Sequence, residues 1–305
     1  DQSIWNSDTH FDDLYSSNGS TVITFSFSGI GQNIPLYDTN YDDWKKPEDK
    51  VIGFNEVQME ATRLALAEWG KVANITFVEV SETGNKVGEL RFAFTDSSEL
   101  DEFWGLASVP GFFASSGDVW IGSTIKSEPE WEQGTSYNFS GLIHEIGHAL
   151  GLDHPFEGVD RMPAEFDQTN YTIMSYNDPE NAYYTGVSGN DWQYIISYTP
   201  MVYDIAAIQY LYGPALYNND DTVYKIDQSK PFFQAIWDSG GTDTFDFSDF
   251  ENACEINLQA GSYSTIPCAG WPITDNLGIA FGAIIENAIG GTKSDTILEI
   301  QRITN

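Results

Sequence analysis

His144-Glu145-Ile146-Gly147-His148-Ala149-Leu150-Gly151-Leu152-Asp153-His154 holds three of the chain's four histidines. On a helix, residues i and i+4 share a face, so His144 and His148 can aim their imidazoles at one metal ion. Glu145 lies about 100° round the helix from His144, beside such an ion rather than bound to it. There it can accept a proton from water. Gly151 has no Cβ, so it can take a left-handed conformation, stop the helix and turn the chain sharply. That turn brings His154 back as a third nitrogen ligand. Three protein ligands leave a position for water, the arrangement of a catalytic rather than a structural zinc site. Three imidazoles suit zinc better than calcium or magnesium. A bare His-Glu-x-x-His recurs by accident in unrelated helices, but the added glycine and third histidine make accident improbable.

Outward from this segment, Ser136 or Ser140 caps the helix that runs through Leu150. Residues 20–27 (Ser-Thr-Val-Ile-Thr-Phe-Ser-Phe) alternate polar and apolar side chains and read as a half-buried strand. Asn55 caps a helical run to about Val72, with apolar positions Val57, Met59, Leu64, Leu66 and Trp69. Residues 75–80, 88–94 and 118–122 read as further strands. A third helix starts near Pro200, a good first-turn residue, and stops at Gly213-Pro214. After Gly213 helical periodicity disappears, and short β-like runs alternate with Gly and Asp. The expected boundary is therefore near residue 213, with mixed α/β before it and all-β after it.

Acidic residues number 46 against 13 basic ones, a net charge of −33 over 305 residues. Phosphate binding needs clustered Lys and Arg, so this balance argues against nucleic acid and anionic membrane as partners. It suits bound calcium, a surface adapted to saline water, or both. A hydrophobic content of 41% and an aromatic content of 14% argue against wholesale disorder. No apolar run approaches the length needed to span a bilayer. The opening Asp1-Gln2-Ser3-Ile4-Trp5 is not a signal peptide and reads as a processed start. Cys254 and Cys268 bracket a turn-rich stretch. In an oxidising compartment they would form a disulfide worth roughly 3 kcal/mol, the competing reading being two free thiols.

The extended motif is that of the metzincins, whose further mark is a methionine turn. Thr172-Ile173-Met174-Ser175-Tyr176 fits that turn. Within the clan, residues 144–154 followed by Pro155, together with Met174-Ser175-Tyr176, resemble the serralysins, RTX-type secreted proteases of peptidase family M10. The likeness continues at residues 204–213, 237–247 and 286–291. It is strong from about 140 to 213, clear in patches to 295, and weaker though colinear over the first 135 residues.

The resemblance implies an α+β metzincin catalytic domain over residues 1–213, with a mixed twisted sheet and long helices. An all-β calcium-binding sandwich, or truncated β-roll, would follow over 214–305. One catalytic Zn2+ would be held by His144, His148 and His154, with Glu145 as general base. Tyr176 would serve as a displaceable fifth ligand that stabilises the oxyanion, and Met174 would floor the site without ligating. Residues 118–122 resemble the family's edge strand, which binds an extended peptide by adding a strand.

The family's C-terminal half is a calcium-loaded roll of Gly-Gly-x-Gly-x-Asp repeats. Asp238, Gly240, Gly241, Asp243 and Glu286 match calcium-ligand positions, with slots at Asn218, Asp220, Thr222 and Ile284. Gly291 and Asp295 would supply another half-site. Lys293 stands where the repeat wants glycine, and no repeat follows, so one or two Ca2+ are expected rather than a row.

The implied function is hydrolysis of internal peptide bonds in extracellular proteins. The implied enzyme is a secreted bacterial monomer, open to a proteinaceous inhibitor and exported through a C-terminal signal. That signal is not evident in Gln301-Arg302-Ile303-Thr304-Asn305. One competing reading is a calcium-dependent adhesion module with a vestigial zinc site. Intact His144, Glu145, His148, His154 and Tyr176 count against it. Another is a matrixin-like peptidase, which predicts no calcium in residues 214–305.

Overall fold

The chain is described by a computed structural model over residues 20–29, 51–83, 86–97, 100, 103–111, 115–127, 130–133, 136–159, 161–180, 182–185, 192–268, 271 and 273–298. The opening pentapeptide and residues 301–305 lie outside the described residues. The chain divides into two compact units, one up to Gly70 with Asn74–Asp153, the other Lys71–Ala73 with His154 onward.

The first unit is built on β1 (Thr21–Phe27), β2 (Val51–Ile52), α1 (Glu56–Val72), β3 (Ile75–Glu79), β4 (Leu90–Thr95), β5 (Gly105–Ala107), β6 (Asp118–Gly122) and α2 (Tyr137–Ala149). The sheet order is β3-β1-β4-β6-β5, with β2 also paired to β4. The strand expected to be half-buried, β1, is buried along all but its first residue. It pairs in parallel with β3 on one side and β4 on the other, and parallel sheets have both faces covered. Its polar side chains are therefore paired inside. Thr24 Oγ1 donates to Glu89 Oε2 at 3.1 Å and Ser26 Oγ to Glu82 Oε1 at 3.2 Å, while Arg91 of β4 reaches Glu82 and Ser28, each at 2.7 Å.

Asn55 caps α1 as expected, and the cap is reciprocal. Gln58 N donates to Asn55 Oδ1 at 3.0 Å, and Asn55 N donates to Gln58 Oε1 at 2.8 Å. Near the other end, buried Trp69 donates through Nε1 to Ile143 O at 3.1 Å and so ties α1 to α2.

One expectation fails here. Residues 118–122 are not the sheet's edge, because β6 pairs with β4 in parallel and with β5 antiparallel. Every residue of β6 is buried. The edge is β5, whose Leu106 packs on the cluster of Ala93, Leu100 and Trp120.

The second unit holds β7 (Tyr183–Thr185), β8 (Trp192–Tyr194) and α3 (Val202–Tyr212). After Gly213 (φ 80°), every regular element among the described residues is a strand. These are β9 (Val223–Lys225), β10 (Gln234–Ile236), β11 (Thr244–Asp246), β12 (Glu255–Asn257), β13 (Tyr263–Ser264), β14 (Leu277–Ile279), β15 (Asn287–Ile289) and β16 (Thr296–Leu298). Parallel pairing dominates, with β11 between β9 and β15, β10 beside β14, and β12 beside β16. Phe233, Phe245, Phe247 and Phe250 are buried.

The expected disulfide is absent, since Cys254 and Cys268 are free and buried. The register explains why. Glu255 bridges Thr265 in antiparallel fashion, which sets Cys268 two residues beyond the position opposite Cys254. The register therefore does not set the two cysteines directly opposite one another. Each thiol instead points to a nearby carbonyl, Cys254 to Asn252 O at 3.7 Å and Cys268 to Ile266 O at 3.4 Å. Burial pushes the Cys254 thiol up to about 11 and that of Cys268 up to about 12. In native buffer a thiol-titrating reagent is therefore expected to label neither cysteine quickly. In denaturant without reductant it should label both, and failure to do so would establish the bridge.

Candidate metal centre

Helix α2 begins at Ser136, whose side chain accepts from Phe139 N at 3.2 Å, so Ser136 rather than Ser140 is the cap. It ends at Gly151, where φ is 105°. Leu152 N donates to Gly147 O and Gly151 N to His148 O, both at 2.9 Å, the paired bonds of a Schellman turn. This closure returns the chain so that ligand nitrogens of His144, His148 and His154 all lie within 4.8 Å of one another. The His144 and His148 rings meet edge to face at 4.8 Å, and His148 Nδ1 lies 2.8 Å from Leu152 O. With Nδ1 so engaged, Nε2 is left for a metal. Three neutral imidazoles this close form a donor set that fits zinc.

Glu145 is 7% exposed, and burial pushes its carboxyl up to about 8, opposed by a hydrogen bond from the Ala107 backbone. Strand β5 passes directly over this side chain. A Cβ on Gly105 would stand 2.8 Å from Glu145 Oε1.

Tyr176 is 65% exposed, with its ring centroid 4.6 Å from that of His154. Phe156 stacks on the same imidazole at 4.9 Å, with 7° between the planes. Met174 is buried. The turn that carries it is pinned by Asp204, a residue that the sequence reading left without a role. Asp204 Oδ1 accepts from Thr172 Oγ1 at 2.5 Å, while Oδ2 accepts from Ile173 N at 2.7 Å and Met201 N at 2.8 Å. A carboxylate three residues after an N-cap is the available signal, since it commonly closes on the cap's N–H. Asp167 was missed in the same way. It accepts from Ser175 Oγ at 2.7 Å and Asn177 Nδ2 at 2.9 Å.

Most of the calcium candidates share one network. Asp243 Oδ1 accepts from Thr222 N, and Glu286 Oε2 accepts from Asp243 N, both at 2.8 Å. Asp238 accepts from Gly240 N at 2.9 Å and from Tyr224 OH at 2.6 Å, and Tyr224 OH accepts from Asn218 Nδ2 at 2.9 Å. Asp220 O accepts from Thr222 Oγ1 at 3.0 Å. Gly241, at φ 127°, brings its backbone so near Asp220 that a Cβ would stand 2.7 Å from the carbonyl oxygen. Asp243 Oδ2 is buried with no hydrogen-bond partner among the described residues. Burial, with Asp238 and Glu286 adding repulsion, pushes Asp243 up to about 6. The remaining candidates are placed differently. Asp295 Oδ1 accepts from Cys254 N at 2.8 Å, Gly291 lies against Phe250 O, and the Ile284 side chain is exposed.

Residues 44–180 match the family model described as Matrixin, and residues 142–249 match Met-zincin. Residues 203–303 match Peptidase M10 serralysin C terminal. Serralysin B of Dickeya chrysanthemi is 33% identical, the alignment covering 96% of this chain and 60% of the relative. Serralysin A of the same organism is 34% identical over 94% of the chain and 61% of the relative. Serralysin of Photorhabdus luminescens is 34% identical over 83% of the chain and 56% of the relative. The chain is serralysin-like. The serralysin-like chain spans about three-fifths of the length of these relatives. Its earlier residues are similar to the Matrixin and Met-zincin models and its later ones to the serralysin C-terminal model.

Asp204 yields a pH dependence for this serralysin-like chain. Burial pushes its carboxyl up to about 6, so between its ordinary value and about 6 the folded chain holds a proton that the unfolded chain releases. Stability contributed by that proton is complete at low pH and is lost as pH rises through that window, by roughly 3 kcal/mol. Asp204→Asn mimics the protonated form, its oxygen taking the two N–H groups and its amide donating to Thr172. Chemical unfolding across pH 3–8 should show wild type losing stability relative to Asp204→Asn over this window. A flat difference would refute it.

Proposed function

We propose that the chain is the peptidase-bearing part of a secreted zinc endopeptidase that cuts internal peptide bonds of extracellular proteins. The observation that carries this reading is the convergence within 4.8 Å of His144 and His148, on the helix that also bears buried Glu145, with His154 beyond its end. His144, His148 and His154 would hold one Zn2+. When bound, the ion supplies Lewis acidity, acidifying water and polarising a carbonyl. Glu145 takes the proton from the attacking water and hands it to the departing amine. The phenol of Tyr176, exposed on His154, donates to the oxygen on which charge develops and can reach the metal as a fifth ligand.

Strand β5 is the place for substrate. Ser108 N donates to Asp118 O, and Gly122 N to Trp104 O, so alternate residues of β5 turn their polar backbone towards β6. Gly105 therefore directs its polar backbone outward, where an extended peptide can pair, while the Ala107 backbone is engaged by Glu145. Functionally the chain divides at about residue 213. Residues 1–213 act on the peptide, and 214–305 form a sandwich, or the start of a β-roll, holding one or two Ca2+. Asp238, Asp243 and Glu286 supply the carboxylates, with Asn218, Asp220, Thr222, Gly240, Gly241 and Ile284 around them, and Gly291 and Asp295 offer the half-site. A soluble monomer that meets extended peptides, or a protein inhibitor imitating one, completes the reading.

Casein hydrolysis by wild type and Glu145→Ala, with zinc measured in both, tests the chemistry. The variant should keep about one zinc per chain and lose activity roughly 10²–10⁴-fold. Equal activity in both, or none in either with zinc bound, would sink the mechanism. Metal analysis after gentle chelation tests the second half. Calcium removal should lower the melting temperature, and Asp243→Ala should bind at least one Ca2+ fewer than wild type. A calcium-free wild type with unchanged melting would remove the calcium assignment.

A further inference from the structure

His148 and His154 differ in what engages the ring nitrogen. His148 Nδ1 faces a neutral acceptor, the carbonyl oxygen of Leu152, at 2.8 Å. His154 Nδ1 lies 3.2 Å from a carboxylate oxygen, Glu157 Oε1, close enough for an ion pair though not aligned as a hydrogen bond. The local chain builds this approach, because Glu157 N donates to His154 O at 3.1 Å and so closes a tight turn through Pro155 and Phe156. Phe156 and Tyr176 clamp the plane of the ring, at centroid distances of 4.9 Å and 4.6 Å. Asp153 adds a second carboxylate, and ligand atoms of Asp153, His154 and Glu157 all lie within 4.8 Å of one another. An imidazole whose Nδ1 meets a carboxylate carries its proton there and presents the Nε2 lone pair outward. A carboxylate also raises the donor strength of that lone pair more than a carbonyl does.

We propose that Glu157 is a positioning residue for His154, fixing the tautomer and rotation of the third imidazole and so setting how tightly the chain holds zinc. The inference rests on the zinc reading above. The Glu157 side chain is 50% exposed and makes no part of the core, so it can be replaced without unfolding the chain.

Zinc affinity is measured on the full chain by competition with a chromogenic chelator, at fixed pH and salt. Wild type is compared with Glu157→Ala, Glu157→Gln and Glu251→Gln, the last removing an exposed carboxylate elsewhere. Glu157→Ala should bind zinc about 10–100-fold more weakly, with the melting temperature of the zinc-free chain unchanged. Glu157→Gln should fall between, since its amide oxygen keeps a polar acceptor beside Nδ1 without the charge, and Glu251→Gln should match wild type. Wild-type affinity in Glu157→Ala, or an equal loss in Glu251→Gln, overturns the proposal and leaves the zinc reading standing. A wild type that takes up no zinc overturns both.

Discussion

The reversal of the chain at Gly151 is the constraint on which the histidine cluster depends. A helix alone presents His144 and His148 on one face but carries any later histidine away at about 1.5 Å per residue. Two N–H groups, those of Gly151 and Leu152, close onto the carbonyls of His148 and Gly147 and end the helix within one residue. The φ of 105° at Gly151 is costly for any residue with a Cβ. The same closure turns the Leu152 carbonyl onto His148 Nδ1, so the bonds that stop the helix also orient a ligand ring. Stability and site geometry are here one set of interactions.

A second carboxylate system supports the segment that carries Met174 and Tyr176. Asp204 sits in the first turn of α3 and binds the N–H groups of both Ile173 and Met201. Capping the helix therefore locks a loop some thirty residues earlier in the chain. Asp167 does the same one step along, taking Ser175 and Asn177. The loop has no regular structure of its own. Its shape is imposed by acceptors buried beside it, since an unpaired N–H there would cost about 1–3 kcal/mol.

What was legible in the sequence follows from the range of each interaction. The cap Asn55, the stop at Gly151 and the paired histidines are all decided within five residues, and pattern alone places them, whereas it left Ser136 and Ser140 both open as the cap of α2. Strand order is not local. The reading of residues 118–122 as an edge failed because β5 is only three residues long, Gly105-Leu106-Ala107, and carries no alternation strong enough to announce a strand. The disulfide failed for a related reason. Spacing along the chain says nothing of register, and the Glu255–Thr265 bridge sets the two thiols diagonally. Asp204 was visible only as part of a resembling stretch, because its partners Thr172 and Ile173 belong to a different loop.

Charge bears on both of the proposed metal centres. Basic side chains are few and are spent locally, Arg63 on Glu79, Arg91 on Glu82 and Lys225 on Asp246. The charged groups acting on Asp243 are Asp238 and Glu286, both acidic. A buried carboxylate so placed persists by holding a proton or a cation. Hard oxygen donors select calcium, whereas the three neutral imidazoles select a softer ion. The chain thus sorts its two proposed metals by donor chemistry, and neither centre needs to compete with the other for its ion.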